Sequence, residues 1–184
     1  MCWRSKRRKV KIADTDIPVF KIALEFDGGI HPYFNYSSPW RYVEGETYAN
    51  DKSFDFNYWK TDETFEVNKA IHSYSAKNIR LTTDDVPPPY IRVCTYKTTK
   101  ESNDVFTRYS QRYSIIESVV MLCTIPKGTM YAVNEVGEIV SDAIKVEKMI
   151  KNPFTTNKDH TVSKRSIERV NKTLNDWEKE NYGL

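Results

Sequence analysis

The longest regular pattern of apolar and polar positions runs from residue 119 to residue 146. Residues 119–125 form a nearly continuous apolar run, which is too short for a membrane span and typical of a strand buried on both faces. Pro126 and Gly128 then favour a tight turn, because proline pre-sets one backbone dihedral and glycine accepts the positive one. Residues 130–133 predict a return strand, and after a second turn residues 139–146 predict a third. The pattern indicates an antiparallel sheet.

Shorter segments favour further strands. Residues 17–26 predict a first strand, with a proline at its start where a missing backbone donor is tolerated. An aromatic-rich loop over 30–48 leads into a short strand near 40–43. The rings of Phe54, Phe56 and Tyr58 alternate with polar residues, which places them on one side of an edge strand. Two more extended segments are predicted, at 71–75 and at 90–96.

The last part of the chain changes to a helical period. Apolar residues recur there at spacings of three and four, which predicts an amphipathic helix over 163–181. The residues of this stripe are Ile167, Val170, Leu174 and Trp177. Ser163 is the predicted N-cap, and Gly183 supplies a left-handed stop. We expect the stripe to pack on the sheet, with self-association or docking to another protein as the alternative.

Together these elements predict an α+β fold, with a mostly antiparallel β-sheet and a C-terminal α-helix packed on it. A partly closed barrel is the alternative to an open sheet. A chain of 184 residues suits one domain with a peripheral segment. We divide it into a basic N-terminal arm over 1–12, a β-rich core domain over 13–150, and a loop with the amphipathic helix over 151–184.

Charge is distributed unevenly along the chain. Residues 1–12 hold six basic residues and no acid, so the net charge of +3 for the whole chain leaves −3 for the rest. Such an arm can contact phosphates, a membrane surface or an acidic partner, although a short basic terminus is often only a solvated tail. We predict Arg4, Arg7 and Arg8 as its anion contacts. No apolar segment of signal-peptide or membrane-spanning type accompanies the arm.

Cysteine and histidine spacing argues against a metal or redox centre. Cys2, Cys94 and Cys123 are widely separated, which predicts free thiols in a reducing, intracellular setting. None of the three histidines has metal-ligand spacing to another histidine or to a cysteine. There is no glycine-rich phosphate loop and no nucleophile elbow. We therefore predict no catalytic set, no metal and no cofactor.

His72 is the centre of the candidate ligand site. Alternation in an extended segment places His72 and Tyr74 on the same side of the chain. Together with Arg41 and the neighbouring Trp40, these side chains can hold a nucleotide or another anion. The alternative is a structural histidine. The 12 tyrosines and four tryptophans of the chain are typical either of a binding surface or of an aromatic-rich β core.

Two segments resemble a known sequence pattern. They are IHSYS at 71–75 and CTIPKGTMYAVNEVGEIVSDAI at 123–144. The pattern, H-S-Y followed by C-x-I-P-K-G-x-x-Y-x-x-N-x-x-G-E-x-V-S, is that of uncharacterised small proteins of bacteriophages and prophages of gut bacteria. The match covers under a fifth of the chain, and Ala70 stands where the pattern has glycine. The resemblance implies a phage origin, with the cytoplasm of a bacterial host as the location and the virion as the alternative.

Three functions from different classes follow. The first is a phage-type accessory protein that binds a nucleotide-like molecule or a host or phage protein, as in counter-defence, rather than catalysing a reaction. The second is a virion-associated assembly protein that forms a homo-oligomer through the helix. The third is an ADP-ribosyltransferase-like or other nucleotide-acting enzyme, although the first strand offers it only Lys21 and residues 119–125 no glutamate. The arm also allows a nucleic-acid contact, which we do not favour, and we expect no membrane partner.

Overall fold

The computed structural model describes residues 3–7, 9–26, 29–32, 41–51, 53–59, 63–68, 70–75, 117–135, 137–155 and 162–183. The strands in these ranges are β1 Arg4–Ser5, β2 Val10–Ile12, β3 Ile17–Phe26, β4 Gly29–Pro32, β5 Thr47–Ala49, β6 Asp55–Trp59, β7 Thr64–Asn68, β8 Ile71–Ser75, β9 Glu117–Ile125, β10 Met130–Val133, β11 Glu138–Ser141 and β12 Ala143–Lys151. The helix is α1, Lys164–Tyr182. The strand predicted at 90–96 lies outside the described residues, as do Cys2, Arg8, Trp40 and Cys94.

The strands form two antiparallel sheets. The large sheet has nine strands in the order β2-β10-β11-β8-β3-β9-β12-β5, with β4 paired to β3 beside this path. The small sheet has three strands in the order β1-β7-β6. Strands β2 and β5 are the two ends of the large sheet, so the described strands form an open sheet rather than a barrel. The predicted α+β class with a mostly antiparallel sheet is confirmed.

Alternation along the central strands places a separate hydrophobic core on each face of the large sheet. On β3 and β9, Val19 and Cys123 face one core, whereas Phe20 and Leu122 face the other. The second core is completed by the apolar stripe of α1. A third core joins the two sheets, with Phe54 and Val67 from the small-sheet region against Ala132 and Val140 of β10 and β11. Residues of the arm contribute to this third core as well.

The helix follows its sequence pattern closely. Its four stripe residues are all buried, and they pack on the second core as the amphipathic period predicts. Ser163 is the N-cap residue, but its side chain makes no capping hydrogen bond. Gly183 ends the helix with φ 65° and donates its N–H to the carbonyl of Lys179. No helix among the described residues has the length and apolarity that a membrane crossing requires.

The predicted third strand at 139–146 is two strands in the structure. The chain leaves β11 at Asp142, whose N–H donates to the Met130 carbonyl at 3.1 Å. The Asp142 carboxylate accepts the N–H of Phe54 at 3.0 Å. Strand β11 pairs with β10 and β8, whereas β12 pairs with β9 and β5. One apolar stretch therefore joins two distant parts of the same sheet.

Candidate functional site

The basic arm passes from the small sheet to the large one. Strand β1 pairs with β7, where Arg4 lies opposite Glu66, and β2 pairs with β10, where Lys11 lies opposite Tyr131. Trp3 precedes β1, is 1% exposed, and donates its Nε1–H to the Glu138 carbonyl at 3.0 Å. The described part of the arm is therefore a structural link between the sheets rather than a solvated tail.

Glu135 holds the bend between β1 and β2. Its Oε1 accepts hydrogen bonds from Ser5 Oγ at 3.0 Å and from the Lys6 N–H at 3.1 Å. The Arg7 N–H in turn donates to Ser5 Oγ at 3.0 Å. Burial acts to raise the pKa of Glu135, but these hydrogen bonds and the charge of Arg7 lower it overall. The carboxylate is thus ionised while it fixes the arm.

Asn134 fixes the turn that carries Glu135. Its Oδ1 accepts the Glu138 N–H at 2.9 Å, and its Nδ2 donates to Glu138 Oε2 at 2.7 Å and to the Arg4 carbonyl at 3.3 Å. Gly137 has φ 87°, which a side chain would strain, and its N–H donates to the Asn134 carbonyl at 3.2 Å. The turn therefore presents a fixed polar surface to the arm.

A cleft of about 150 Å³ lies between the arm and this turn. Its lining residues are Ser5, Arg7, Lys9, Lys11, Val133, Asn134 and Glu135. Arg7, Lys9 and Lys11 are exposed, and no ion pair joins them to any residue that the structure describes. The predicted contact Arg4 instead forms an ion pair with the nearly buried Glu66, at 3.5 Å. Arg8, the third predicted contact, lies outside the described residues.

The lining of the cleft fits an anion. Three cations face one small space, and the one carboxylate among the described lining residues is engaged by the arm backbone and Ser5. Ligand pockets for whole drug-sized molecules hold about 300–1,000 Å³, so this cleft fits a phosphate-sized group rather than an enclosed nucleotide. Arginine and lysine are the side chains that proteins use to bind phosphate.

His72 and Tyr74 lie on β8, as the sequence predicts, but in packed surroundings. The ring of Tyr74 stacks on Phe20, with centroids 5.3 Å apart. His72 lies opposite Val140 in the β8–β11 ladder. Burial, reinforced by the nearby charge of Lys21, lowers the pKa of His72 to about 4. The imidazole is therefore neutral at pH 7 and brings no positive charge to an anion.

Arg41 is found beside another histidine. Its Nη1 lies 3.1 Å from Nδ1 and 2.9 Å from Nε2 of His31, a buried residue of β4. Tyr48 Oη accepts the Val43 N–H and donates to the Arg41 carbonyl, both at 2.7 Å. The structure thus joins Arg41 to His31, which the sequence pattern did not single out. Trp40, the fourth member of the predicted site, lies outside the described residues.

Lys21 is buried in the first core. It is 7% exposed, and its Nζ donates to the His72 carbonyl at 2.6 Å. Burial lowers the pKa of Lys21 to about 8 and raises the pKa of the neighbouring Cys123 thiol. Ser73, also buried, has no hydrogen-bond partner for its Oγ. Among the described residues, no group of His, Cys, Asp or Glu side chains has the arrangement of a metal site.

The sequence places Lys9 and Lys11 in the basic arm but does not distinguish them as anion contacts. Nothing in the local sequence marks Asn134 and Glu135 as part of the site. A usable signal was present only for Lys9 and Lys11, which alternate with Val10 and Ile12 as they would along a strand, whereas residues 6–9 are continuously basic. The pairing of the arm with the turn at 134–137 is a long-range contact that no local pattern reveals. Compared with known protein families, with curated proteins and with solved structures, the chain shows no match.

Proposed function

We propose that this protein is an accessory protein of phage type that acts by binding, and that its ligand is an anion with phosphate groups held in the arm cleft. The location we propose is the cytoplasm of a bacterial host. Sequestering a nucleotide-like signal of host defence is a role that such binding would serve.

One observation carries the proposal. Arg7, Lys9 and Lys11 line the same cleft and have no ion pair with any described residue, while Glu135 and Asn134 hold the arm in place. Three like charges repel one another, and a bound anion would relieve this repulsion. Because the arm is already ordered by the two sheets, the ligand does not have to order it on binding.

Isothermal titration with inorganic pyrophosphate and with ATP tests the proposal. The variant Lys9→Gln/Lys11→Gln should weaken both ligands at least about tenfold, since a hydrogen bond to a charged group contributes roughly 1.5–3 kcal/mol. The matched control is Lys164→Gln/Arg165→Gln, which removes two exposed cations from the start of α1. Equal weakening by both variants would show that the affinity depends only on the net charge of the protein and not on the cleft. Absence of binding to either ligand would refute the proposal.

A second candidate, the assembly protein, is favoured by exposed apolar residues on β2. Val10 is 40% exposed and Ile12 is 62% exposed, on the strand that ends the large sheet. Exposed apolar residues on an end strand favour contact with another chain. Light scattering after size exclusion, over a hundredfold range of concentration, tests it. A concentration-dependent oligomer that Ile12→Thr abolishes is the expected result, and a monomer throughout would exclude self-assembly through this strand.

A further inference from the structure

One wall of the arm cleft belongs to the last strand of the large sheet. Lys11 lies in β2 and Lys9 directly precedes it, and both line the cleft. Strand β2 ends the strand order, and no described residue pairs with its outer edge. A ligand longer than the cleft can therefore continue along β2 without displacing a neighbouring strand.

Two cations of the cleft follow an extended chain. Lys9 and Lys11 are alternate residues at β2, and alternate residues of an extended chain project to the same side about 6.5 Å apart, whereas Arg7 lies in the bend before them. Successive phosphates of an extended phosphodiester chain have a similar separation. Lys9 and Lys11 therefore match two successive phosphates, and Arg7 adds a third positive charge to the same cleft.

None of the described residues that line the cleft is aromatic. Sites that read a nucleobase stack it on aromatic or guanidinium planes, and stacking supplies much of the affinity of single-strand binding proteins. Among the described lining residues, Val133 is the apolar one and the Arg7 guanidinium is the one plane on which a base could stack. We therefore expect a nucleic acid to be held here mainly by its backbone, with little sequence preference.

The volume of the cleft supports the same conclusion. About 150 Å³ accommodates phosphate groups but leaves no room for an enclosed base and sugar. Asn134 uses its side-chain atoms to hold the turn and the Arg4 carbonyl, and Oε1 of Glu135 is engaged by Ser5 and the Lys6 N–H. Arg7, Lys9 and Lys11 are therefore the main anion-binding groups among the described lining residues.

We propose that the ligand of the arm cleft is a single-stranded nucleic acid, bound through its phosphodiester backbone along Arg7, Lys9 and Lys11. This inference rests on the proposed anion-binding function and narrows its ligand. A duplex would present phosphates on two strands, for which the cleft offers one row of cations. An acidic protein segment is the competing class of ligand, and the test must distinguish it from a nucleic acid.

Fluorescence anisotropy of a labelled dT12 oligonucleotide tests the proposal. The logarithm of the binding constant should fall with the logarithm of salt concentration at a slope of about −2 for three phosphate contacts on a single strand. Lys9→Gln/Lys11→Gln should lower the affinity at least tenfold and reduce the slope to about −0.7. The control Lys164→Gln/Arg165→Gln should leave the slope unchanged. Arg7→Gln alone should remove one contact, and circular dichroism should show that every variant is folded.

Competition experiments separate this proposal from the function on which it rests. We expect dT12 and dA12 to compete equally, and ATP, a DNA duplex and a poly-glutamate peptide to compete much more weakly. If ATP binds in a Lys9- and Lys11-dependent way while dT12 binds no more tightly, the anion-binding function stands and the nucleic-acid ligand is refuted. If poly-glutamate matches dT12, the partner is an acidic protein segment. If no anion binds, both proposals fall.

Discussion

Glu135 exerts two opposing effects on the cleft. Its carboxylate anchors Ser5 and the backbone of Lys6, and its negative charge lies among the cations that attract an anion. Glu135→Gln keeps an acceptor oxygen and removes the charge, so we expect pyrophosphate affinity to rise a few-fold. Glu135→Ala also removes the anchor, so we expect the affinity to fall. Titration of both variants compares them directly, and an equal gain for both would show that the anchor is unimportant.

Lys21 makes the stability of the fold depend on pH. Its pKa is lowered from 10.5 to about 8 by burial, so between these pH values the unfolded chain binds a proton that the folded chain lacks. The contribution of Lys21 to the free energy of unfolding therefore rises with pH between about 8 and 10.5. Below pH 8 the cost of the buried charge is fully present. The shift corresponds to about 3 kcal/mol, against roughly 1.5–3 kcal/mol for the hydrogen bond that the charged Nζ donates to the His72 carbonyl.

Lys21→Met should accordingly stabilise the protein at pH 7, and the advantage should shrink as the pH approaches 10.5. Urea unfolding at pH 7 and pH 10 measures both effects. Cys123, whose thiol pKa burial raises, contributes the opposite slope. This contribution is the same in the parent and in Lys21→Met, so it cancels when their free energies of unfolding are compared. Lys127→Met, at an exposed position in a turn, is the control. A variant less stable than the parent at pH 7 would contradict this account.

Among the elements, α1 packs through its apolar stripe and is also joined to the fold by hydrogen bonds of Arg169 to the Pro153 carbonyl and of Tyr182 with Thr124. Leu174 is 1% exposed in the second core, and truncation of a buried leucine costs about 2–5 kcal/mol. We expect Leu174→Ala to lower the free energy of unfolding by this amount and the exposed Glu180→Ala to leave it unchanged. Anion affinity should be preserved in both, because the arm pairs with β7 and β10 instead. Loss of affinity in the folded Leu174→Ala protein would link the helix to the cleft.

The apolar pattern predicted elements well where it stays the same along the whole element. The α1 stripe, buried on one face, and the run that became β9, buried on both faces, are such cases, and both were predicted nearly to their ends. The stretch 139–146 was predicted as one strand because period two persists across Asp142. The break depends on hydrogen bonds to Met130 and Phe54, and the second of these partners is distant in sequence.

The candidate site was harder to predict, since its parts are distant in sequence. The basic composition of residues 1–12 pointed to an anion contact, but charge alone did not distinguish Arg4, which pairs with Glu66, from Lys9 and Lys11, which face the cleft. Strand β2 was missed because Val10 and Ile12 remain exposed on the end strand. A grouping of His72, Tyr74, Arg41 and Trp40 required knowledge of strand order, and the structure instead places Arg41 against His31.

At the scale of the whole molecule, the arm couples the two sheets to the cleft. Trp3 fills the core between them, contacts the edge of Phe56 at a centroid distance of 6.0 Å, and donates to the Glu138 carbonyl. Burial of Trp3 and anion binding by Arg7, Lys9 and Lys11 therefore involve the same short segment. A ligand that binds only the docked arm must stabilise the docked small sheet as well.

Trp3→Ala should consequently weaken both the contact between the two sheets and the binding of anions. Truncation of a buried tryptophan costs about 3–5 kcal/mol, and here the loss falls on the contact between the sheets. We expect hydrogen exchange to accelerate in β6 and β7 more than in β3 and β9, and pyrophosphate affinity to fall although no cation is changed. Trp3→Phe keeps the ring without the Nε1 donor and should retain most of both properties. Fast exchange in β6 and β7 with unchanged affinity would show that the arm holds its ligand independently of the small sheet.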